Sequence, residues 1–328
     1  MTFEESKKIF ESLFNHEMND KQMRDFLVNL SLDESTSVDS IAAAASVMRS
    51  NALPLHVSEE LRPKLLDIVG TGGDKIGSFN ISSTVALLCA ASGCIVAKHG
   101  SRSVTSKSGS ADMFEKLGVR LDLSIENSSK LLEETGFTFM FAQNHHPAMK
   151  FIMPIRKSIP EKTIFNILGP LTNPAHVSKT MLGVFNKSFV PKIAEALKIN
   201  NAKSALVVSS REHMYEIRIS DITYAARLVH NSVEEFEIDP QNYGIKRAPL
   251  EAIVGGSADF NASLVLDIFS NKATDAQRDI VLINAAASLV VDGQARDFQD
   301  GLEIARDTIE SKKAIEKLKH IIKVSNSL

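Results

Sequence analysis

The stretch Leu65, Leu66, Asp67, Ile68, Val69, Gly70, Thr71, Gly72, Gly73, Asp74 decides the fold. A short apolar run, Leu65 to Val69, ends in closely spaced glycines, which is the form of a buried strand. Asn80, Ile81, Ser82, Ser83 and Thr84 follow, and Thr84 to Ser92 reads as a helix stopped by Gly93. A strand, a glycine turn and a helix in that order open a parallel α/β sheet.

The alternation continues downstream. Cys94 to Lys98 reads as a strand, Asp112 to Leu117 and Ser128 to Thr135 as helices, and Phe137 to Ala142 as a strand. Met181 to Phe185, Pro191 to Leu197 and Ser204 to Val208 repeat strand, helix, strand, and Asp275 to Ile322 is helical with solvated Glu and Lys faces. Upstream, Thr2 to about Arg62 has helical spacing: Phe10, Leu13, Phe14, then Met23, Phe26, Leu27, Leu30, a break at Asp33 to Ser37, and an alanine-rich helix from Val38 to Met48. The expected fold class is α/β. A small N-terminal helical domain spans 1–63, joined by helices from about 147–175, and a large α/β domain spans 64–328 with a mostly parallel sheet flanked by helices.

The 328 residues, 44% of them hydrophobic, suffice for a substantial core. Lys plus Arg number 37 against 40 Asp plus Glu, a formal charge of −3, and no basic block of the kind that tracks a nucleic-acid backbone occurs. An anionic ligand must therefore be held by local geometry. Cys89 and Cys94 lie in an apolar run and read as buried thiols, which suits a reducing compartment. The N-terminus lacks the apolar core of a signal peptide, and no apolar stretch reaches the roughly 18 residues of a membrane span. The expectation is a cytoplasmic chain without a membrane partner.

Four segments can carry chemistry. Gly70 to Asp74 with Ser78, Asn80, Ser82 and Ser83 offers backbone N–H groups, hydroxyls and a helix N-terminus to an anion, although a plain turn with an N-cap serine would look the same. It is neither a Walker loop nor a dinucleotide fingerprint. Lys98, His99, Gly100, Ser101 and Arg102, continuing through Lys107, Ser108 and Ser110, read as a basic, serine-rich loop at the carboxyl end of the next strand, where open sheets bind ligands. His145 and His146 are poor metal ligands as sequence neighbours; Arg156, about three helical turns beyond His146, is a plausible carboxylate clamp. Phe165 to Pro174, with Gly169, reads alone as a structural turn.

Together and in this order, GlyThrGlyGlyAsp (70–74), AsnIleSerSerThr (80–84), LysHisGlySerArg (98–102), SerLysSerGlySerAlaAsp (106–112), HisHisProAlaMet (145–149) and ThrIlePheAsnIleLeuGlyProLeuThrAsnPro (163–174) closely resemble the anthranilate phosphoribosyltransferases. The resemblance covers essentially the full chain, through Gly255, Gly256, Asn261 and Ala262. It implies a fold of the nucleoside phosphorylase and phosphoribosyltransferase type, with the active site in a hinge cleft. It implies transfer of phosphoribosyl from phosphoribosyl diphosphate (PRPP) to the amine of anthranilate in tryptophan biosynthesis, assisted by two Mg²⁺ ions. Gly70, Gly73, Asp74, Ser78, Asn80, Ser82, Ser83, Lys98 and Ser110 fall where that family contacts PRPP or its magnesium. Gly70, Ser101, His146, Arg156 and Gly169 fall where it contacts anthranilate. Ser82 and Glu216 are the implied metal ligands, and no covalent nucleophile or general base is expected. Further implications are a homodimer and, because relatives are sometimes fused to a glutamine amidotransferase, an anthranilate synthase component as partner.

Two departures stand out. Ser101 replaces the Asn of most relatives, shortening the reach toward the acceptor. Tyr215 replaces the Asp of an AspGlu pair of magnesium ligands, and a neutral phenol is a poor Mg²⁺ ligand; Glu212, three residues earlier, would face the other way on an extended segment. The alternatives are a same-fold transferase with another aromatic amine acceptor and a non-catalytic nucleic-acid-binding paralogue.

Overall fold

A computed structural model of the chain describes residues 1–30, 32–72, 76–103, 107–211 and 214–328. Helices α1 (Phe3–Phe14), α2 (Asp20–Asn29) and α3 (Val38–Ser50) come first. Each begins at a side chain that satisfies otherwise orphaned N–H groups: Thr2 with Glu5 and Asn19 with Gln22 form capping boxes, and Ser37 accepts from Ser40. Strand β1 (Leu65–Gly70) follows, then α4 (Ile81–Ala91), β2 (Ile95–Gly100), α5 (Ser110–Lys116), α6 (Ile125–Thr135) and β3 (Phe137–Phe141). Short helices α7 (Ala142–His145), α8 (Met149–Lys157) and α9 (Phe165–Leu168) lead to β4 (Lys179–Gly183), α10 (Val190–Ile199) and β5 (Ser204–Ser210). Next come β6 (Thr223–Val229) and β7 (Ser232–Ile238), then α11 (Ala258–Phe269), α12 (Asp275–Asp292), α13 (Phe298–Glu310) and α14 (Lys313–Ser327).

Among the described residues the strands form one sheet in the order β3-β2-β1-β4-β5-β6-β7. The first five run parallel, and β6 and β7 are antiparallel additions. The chain leaves β1 toward β2 and β3 on one side and returns to β4 on the other. The carboxyl ends of β1 and β4, where Gly70 pairs with Gly183, are therefore the point at which strand order reverses, the place where open α/β sheets bind their ligands.

Alternation along the strands divides the core. Leu66, Ile68, Val96, Phe137, Phe139, Met181 and Leu206 pack with α4, α5 and α11 to α14 on one face. On the other face Leu182, Val184, Ala205 and Val207 pack with α10, and the same cluster takes in Phe10, Leu13 and Ile41 of the N-terminal helices and Ile152, Phe165 and Leu168 of α8 and α9. Leu65, Ala97 and Met140 continue that face with Leu55 and Ala175. Residues of α8 and α9 thus share one apolar cluster with α1 and α3. Cys89 and Cys94 are buried free thiols. No helix among the described residues is long and apolar enough to cross a membrane.

Candidate active site

The glycine turn starts where β1 ends. Thr71 N–H donates to the Gly183 carbonyl at 2.9 Å, and Gly72 takes a left-handed φ of +66°, which a side chain rarely tolerates. Gly73 and Asp74 lie outside the described residues. Beyond them the chain is pinned to 253–255: Ser78 bridges Val254, Phe79 N–H donates to Ile253 and Gly255 N–H to Gly77. A Cβ on Gly255 would stand 2.6 Å from the Phe79 Cα, so only glycine allows this approach.

Helix α4 then opens with its N-terminus uncapped by any side chain. Asn80, the residue in the cap position, turns its amide elsewhere. It donates to the Ser108 carbonyl (3.2 Å) and accepts from Ser108 Oγ (3.1 Å) and Asn261 Nδ2 (2.8 Å). Ser82 and Ser83 lie in the first turn of α4 rather than serving as caps. Ser83 is buried, and its hydroxyl has no hydrogen-bond partner among the described residues. An uncapped helix N-terminus with a spare buried hydroxyl is suited to phosphate oxygens.

Strand β2 runs past Lys98, its expected end, to Gly100, so His99 lies in the strand and not on the loop that follows it, and period-2 alternation sends Lys98 and His99 to opposite faces. Lys98 is 1% exposed and donates to the Ile68 carbonyl at 2.5 Å. Burial pulls its ammonium down to about 8, against the attraction of Asp67 and Glu216. Glu216 is itself buried, in the connection between β5 and β6. That connection runs back across the sheet. The Tyr215 main chain abuts Gly183, the Tyr215 ring abuts Gly70, and the Glu216 charge reaches Lys98. Glu212 lies outside the described residues.

On the other face, Asp67 accepts from the His99 main-chain N–H (3.2 Å) and from Asn173 Nδ2 (2.8 Å), which also donates to the Ala97 carbonyl. Burial raises the Asp67 carboxyl to about 6 despite Lys98 and these donors. His99 Nδ1 lies 3.1 Å from the Gly169 carbonyl and therefore carries the proton there. The His99 and His146 rings stand 5.1 Å apart, and Nε2 of each is buried without a partner among the described residues. Burial first, then the neighbouring histidines, hold them neutral, His99 at about 3 and His146 at about 4. Space next to Gly169 is open: an added Cβ would meet nothing within 4 Å. Asp67 and Asn173 stand inside stretches the sequence reading quoted but were given no role there; the one signal was an acid inside the apolar run of β1.

His146 and Arg156 do not share a helix. The chain breaks at His146 after α7, and Arg156 sits in the last turn of α8, in a helix that contains Pro154. Arg156 is half-buried, and among the described residues its side chain makes one hydrogen bond, a 3.9 Å contact to Met153 Sδ. No acid pairs with it among the described residues, and burial lowers its pKa. Such a guanidinium fits a ligand carboxylate. Arg102, by contrast, is taken up by Asp112 and Glu115 and closes its loop onto α5. Ser101 is exposed, with Oγ on the Arg102 carbonyl, and Ser110 starts α5. No three His, Cys, Asp or Glu side chains gather as a metal site among the described residues.

Comparison with known proteins agrees with this geometry. Residues 62–315 match the family model described as "Glycosyl transferase family, a/b domain". An anthranilate phosphoribosyltransferase of Xanthobacter autotrophicus is 42% identical over the whole chain and 94% of its own length. The crystal structure of the Thermus thermophilus anthranilate phosphoribosyltransferase superposes with a TM-score of 0.92 at 36% identity, covering 99% of this chain and 96% of that one. The Saccharomyces cerevisiae anthranilate phosphoribosyltransferase, solved in complex with PRPP and Mg, gives 0.85 at 26% identity, covering 98% and 91%. A chain whose sheet sets an uncapped helix N-terminus on one face of its reversal point and two neutral buried histidines on the other, matched over its full length by these relatives, belongs to the anthranilate phosphoribosyltransferase family.

Proposed function

We propose that this chain transfers the phosphoribosyl group of PRPP to the amino nitrogen of anthranilate, releasing diphosphate, as a step of tryptophan biosynthesis. The observation that carries this reading is the division of Lys98 from His99. Adjacent residues of one strand serve two pockets that meet at the carboxyl ends of β1 and β4, so a donor and an acceptor can approach a common point from opposite faces.

Breaking the bond to diphosphate builds cationic character on the ribose and negative charge on the leaving group, so catalysis needs alignment and charge neutralisation more than a strong base. The amine of anthranilate is already neutral near pH 7. The α4 N-terminus, Ser82, Ser83 and Lys98 would hold the phosphates, with Gly70, Gly73, Asp74, Ser78, Asn80 and Ser110 shaping the same cradle. Arg156 would take the anthranilate carboxylate while His146, Gly169 and Ser101 line the approach. Neutral His99 and His146 place no positive charge beside the aromatic amine.

The donor set fits magnesium: Glu216 and Ser82 offer hard oxygens, and a sparse protein shell is what Mg²⁺ tolerates, since it is bound largely by water and substrate phosphates. When bound, the ion would neutralise the charge of the departing diphosphate. Tyr215 offers no carboxylate for a second ion. We also infer a homodimer through the α1 to α3 region, a cytoplasmic location, and an anthranilate synthase component as the upstream partner.

The test is to incubate the purified protein with anthranilate, PRPP and Mg²⁺ and follow the loss of anthranilate fluorescence. Turnover that needs all three components is expected. No turnover across a wide magnesium range would contradict the reading, and turnover of a different aromatic amine in place of anthranilate would reassign the acceptor.

A further inference from the structure

Glu216 sits in an irregular connection, yet a carboxylate that serves a metal must be held to within a fraction of an ångström. The segment around it is fixed at two points. On one side Met214 is wholly buried; its N–H donates to Ser210 Oγ (3.1 Å) and its carbonyl accepts from Ser210 N–H (3.0 Å). On the other side the peptide groups of Ile217 are taken by a side chain from a distant helix. Asn284 of α12 accepts from the Ile217 N–H at 2.9 Å and donates to the Ile217 carbonyl at 2.7 Å.

We propose that Asn284 is a positioning residue, which clamps the Ile217 main chain and so sets the Glu216 carboxylate at the diphosphate site. The proposal rests on the reading of Glu216 as a magnesium ligand. Asparagine in the middle of a helix disfavours the helix and needs compensation from its surroundings. Here its second amide hydrogen goes to the Ile280 carbonyl at 2.8 Å, so three of its four hydrogen-bonding positions are used in a site only 3% exposed. A carboxamide is the one short side chain that offers an acceptor and a donor side by side, matching a peptide's N–H and C=O. Aspartate keeps only the acceptor; alanine and leucine keep neither.

The platform beneath Asn284 is rigid. Ala285, Ala286 and Ala287 are wholly buried, and α13 packs so closely on α12 that a Cβ on Gly301 would stand 2.8 Å from the Ala286 Cα. The clamp therefore ties the loop to the same layer of helices that carries α4 and its phosphate-facing N-terminus.

The experiment measures PRPP binding by calorimetry, without anthranilate, as a function of Mg²⁺ concentration. Asn284→Ala should raise the magnesium midpoint on the order of ten- to a hundredfold, the usual cost of losing a partner that orients a metal ligand. Asn284→Ser is the companion if the alanine variant does not fold, because serine stays polar and can take over the bond to the Ile280 carbonyl that the amide now makes, while leaving Ile217 unclamped. Ser288→Ala, which removes a hydroxyl bond to the Asn284 carbonyl on the same helix, should leave the midpoint unchanged. Glu216→Gln should shift it as Asn284→Ala does, and Asn284→Ala added to Glu216→Gln should shift it no further, since the clamp acts through Glu216. A normal midpoint in the Asn284 variants beside a shifted one in Glu216→Gln would overturn the clamp alone. Additive shifts would do the same. A normal midpoint in Glu216→Gln would overturn the reading of Glu216 itself.

Discussion

Arg156 brings a guanidinium into a half-buried place where no acid among the described residues meets it, and that asymmetry is its signature. Charge-assisted bonds to a carboxylate contribute about 1.5–3 kcal/mol, so Arg156→Ala should raise KM for anthranilate ten- to a hundredfold on that estimate, while KM for PRPP stays near wild type; steady-state kinetics checks it. Gly70 is constrained by Tyr215. An added Cβ would stand 2.5 Å from the Tyr215 Cδ2, so Gly70→Ala should lower stability by about 1–3 kcal/mol, as overpacking does, with Tyr215→Ala in the same chain restoring most of it in denaturant unfolding. Tyr215→Asp should supply a carboxylate where the phenol now stands and lower the magnesium concentration needed for half-maximal turnover. An unchanged magnesium titration would remove Tyr215 from the metal site.

At the scale of elements, what the sequence made legible follows from how each piece is buried. The parallel strands are covered on both faces, so they are short apolar runs stopped by glycine, and β1, β2 and β4 stand within two residues of their expected positions. Strand β7 was missed because charge falls on both its faces, Glu234 on one and Glu235 and Glu237 on the other; charge on an edge strand guards against further pairing and erases the apolar alternation. The site was legible where it is local, in the glycine turn and the serines of α4. It was illegible where it is assembled across the chain. Asp67 and Asn173 lie 106 residues apart, and Asn284 and Ile217 lie 67 apart, so no spacing rule joins them. Asn173→Ala would take the side-chain donor from a buried carboxylate and should cost about 2–3 kcal/mol of stability, measurable by urea unfolding.

The whole molecule's response to pH follows from the histidine pocket. His99 and His146 stay neutral in the folded chain down to about 3 and about 4, whereas in the unfolded chain they take up protons near 6.5. The unfolded state binds more protons in that window, so their contribution to stability is full above about pH 6.5 and is lost progressively as pH falls toward 4. Asp67, raised to about 6, works in the opposite sense over the lower part of the window and is the smaller effect. Melting temperature should fall on acidification from pH 7 to 5, and His99→Asn should flatten that fall.

The central claim is that two faces of one sheet bring separate ligands to a common edge, and kinetics of two variants tests it most directly. The Ser83 hydroxyl has no hydrogen-bond partner among the described residues, so Ser83→Ala probes the donor side without removing a side-chain bond of the fold; Arg156→Ala probes the acceptor side. In a full two-substrate analysis, Ser83→Ala should raise KM for PRPP and leave KM for anthranilate near wild type, and Arg156→Ala should do the reverse. If either variant raised both constants together, or left both unchanged, the division of the site between the two faces would be contradicted.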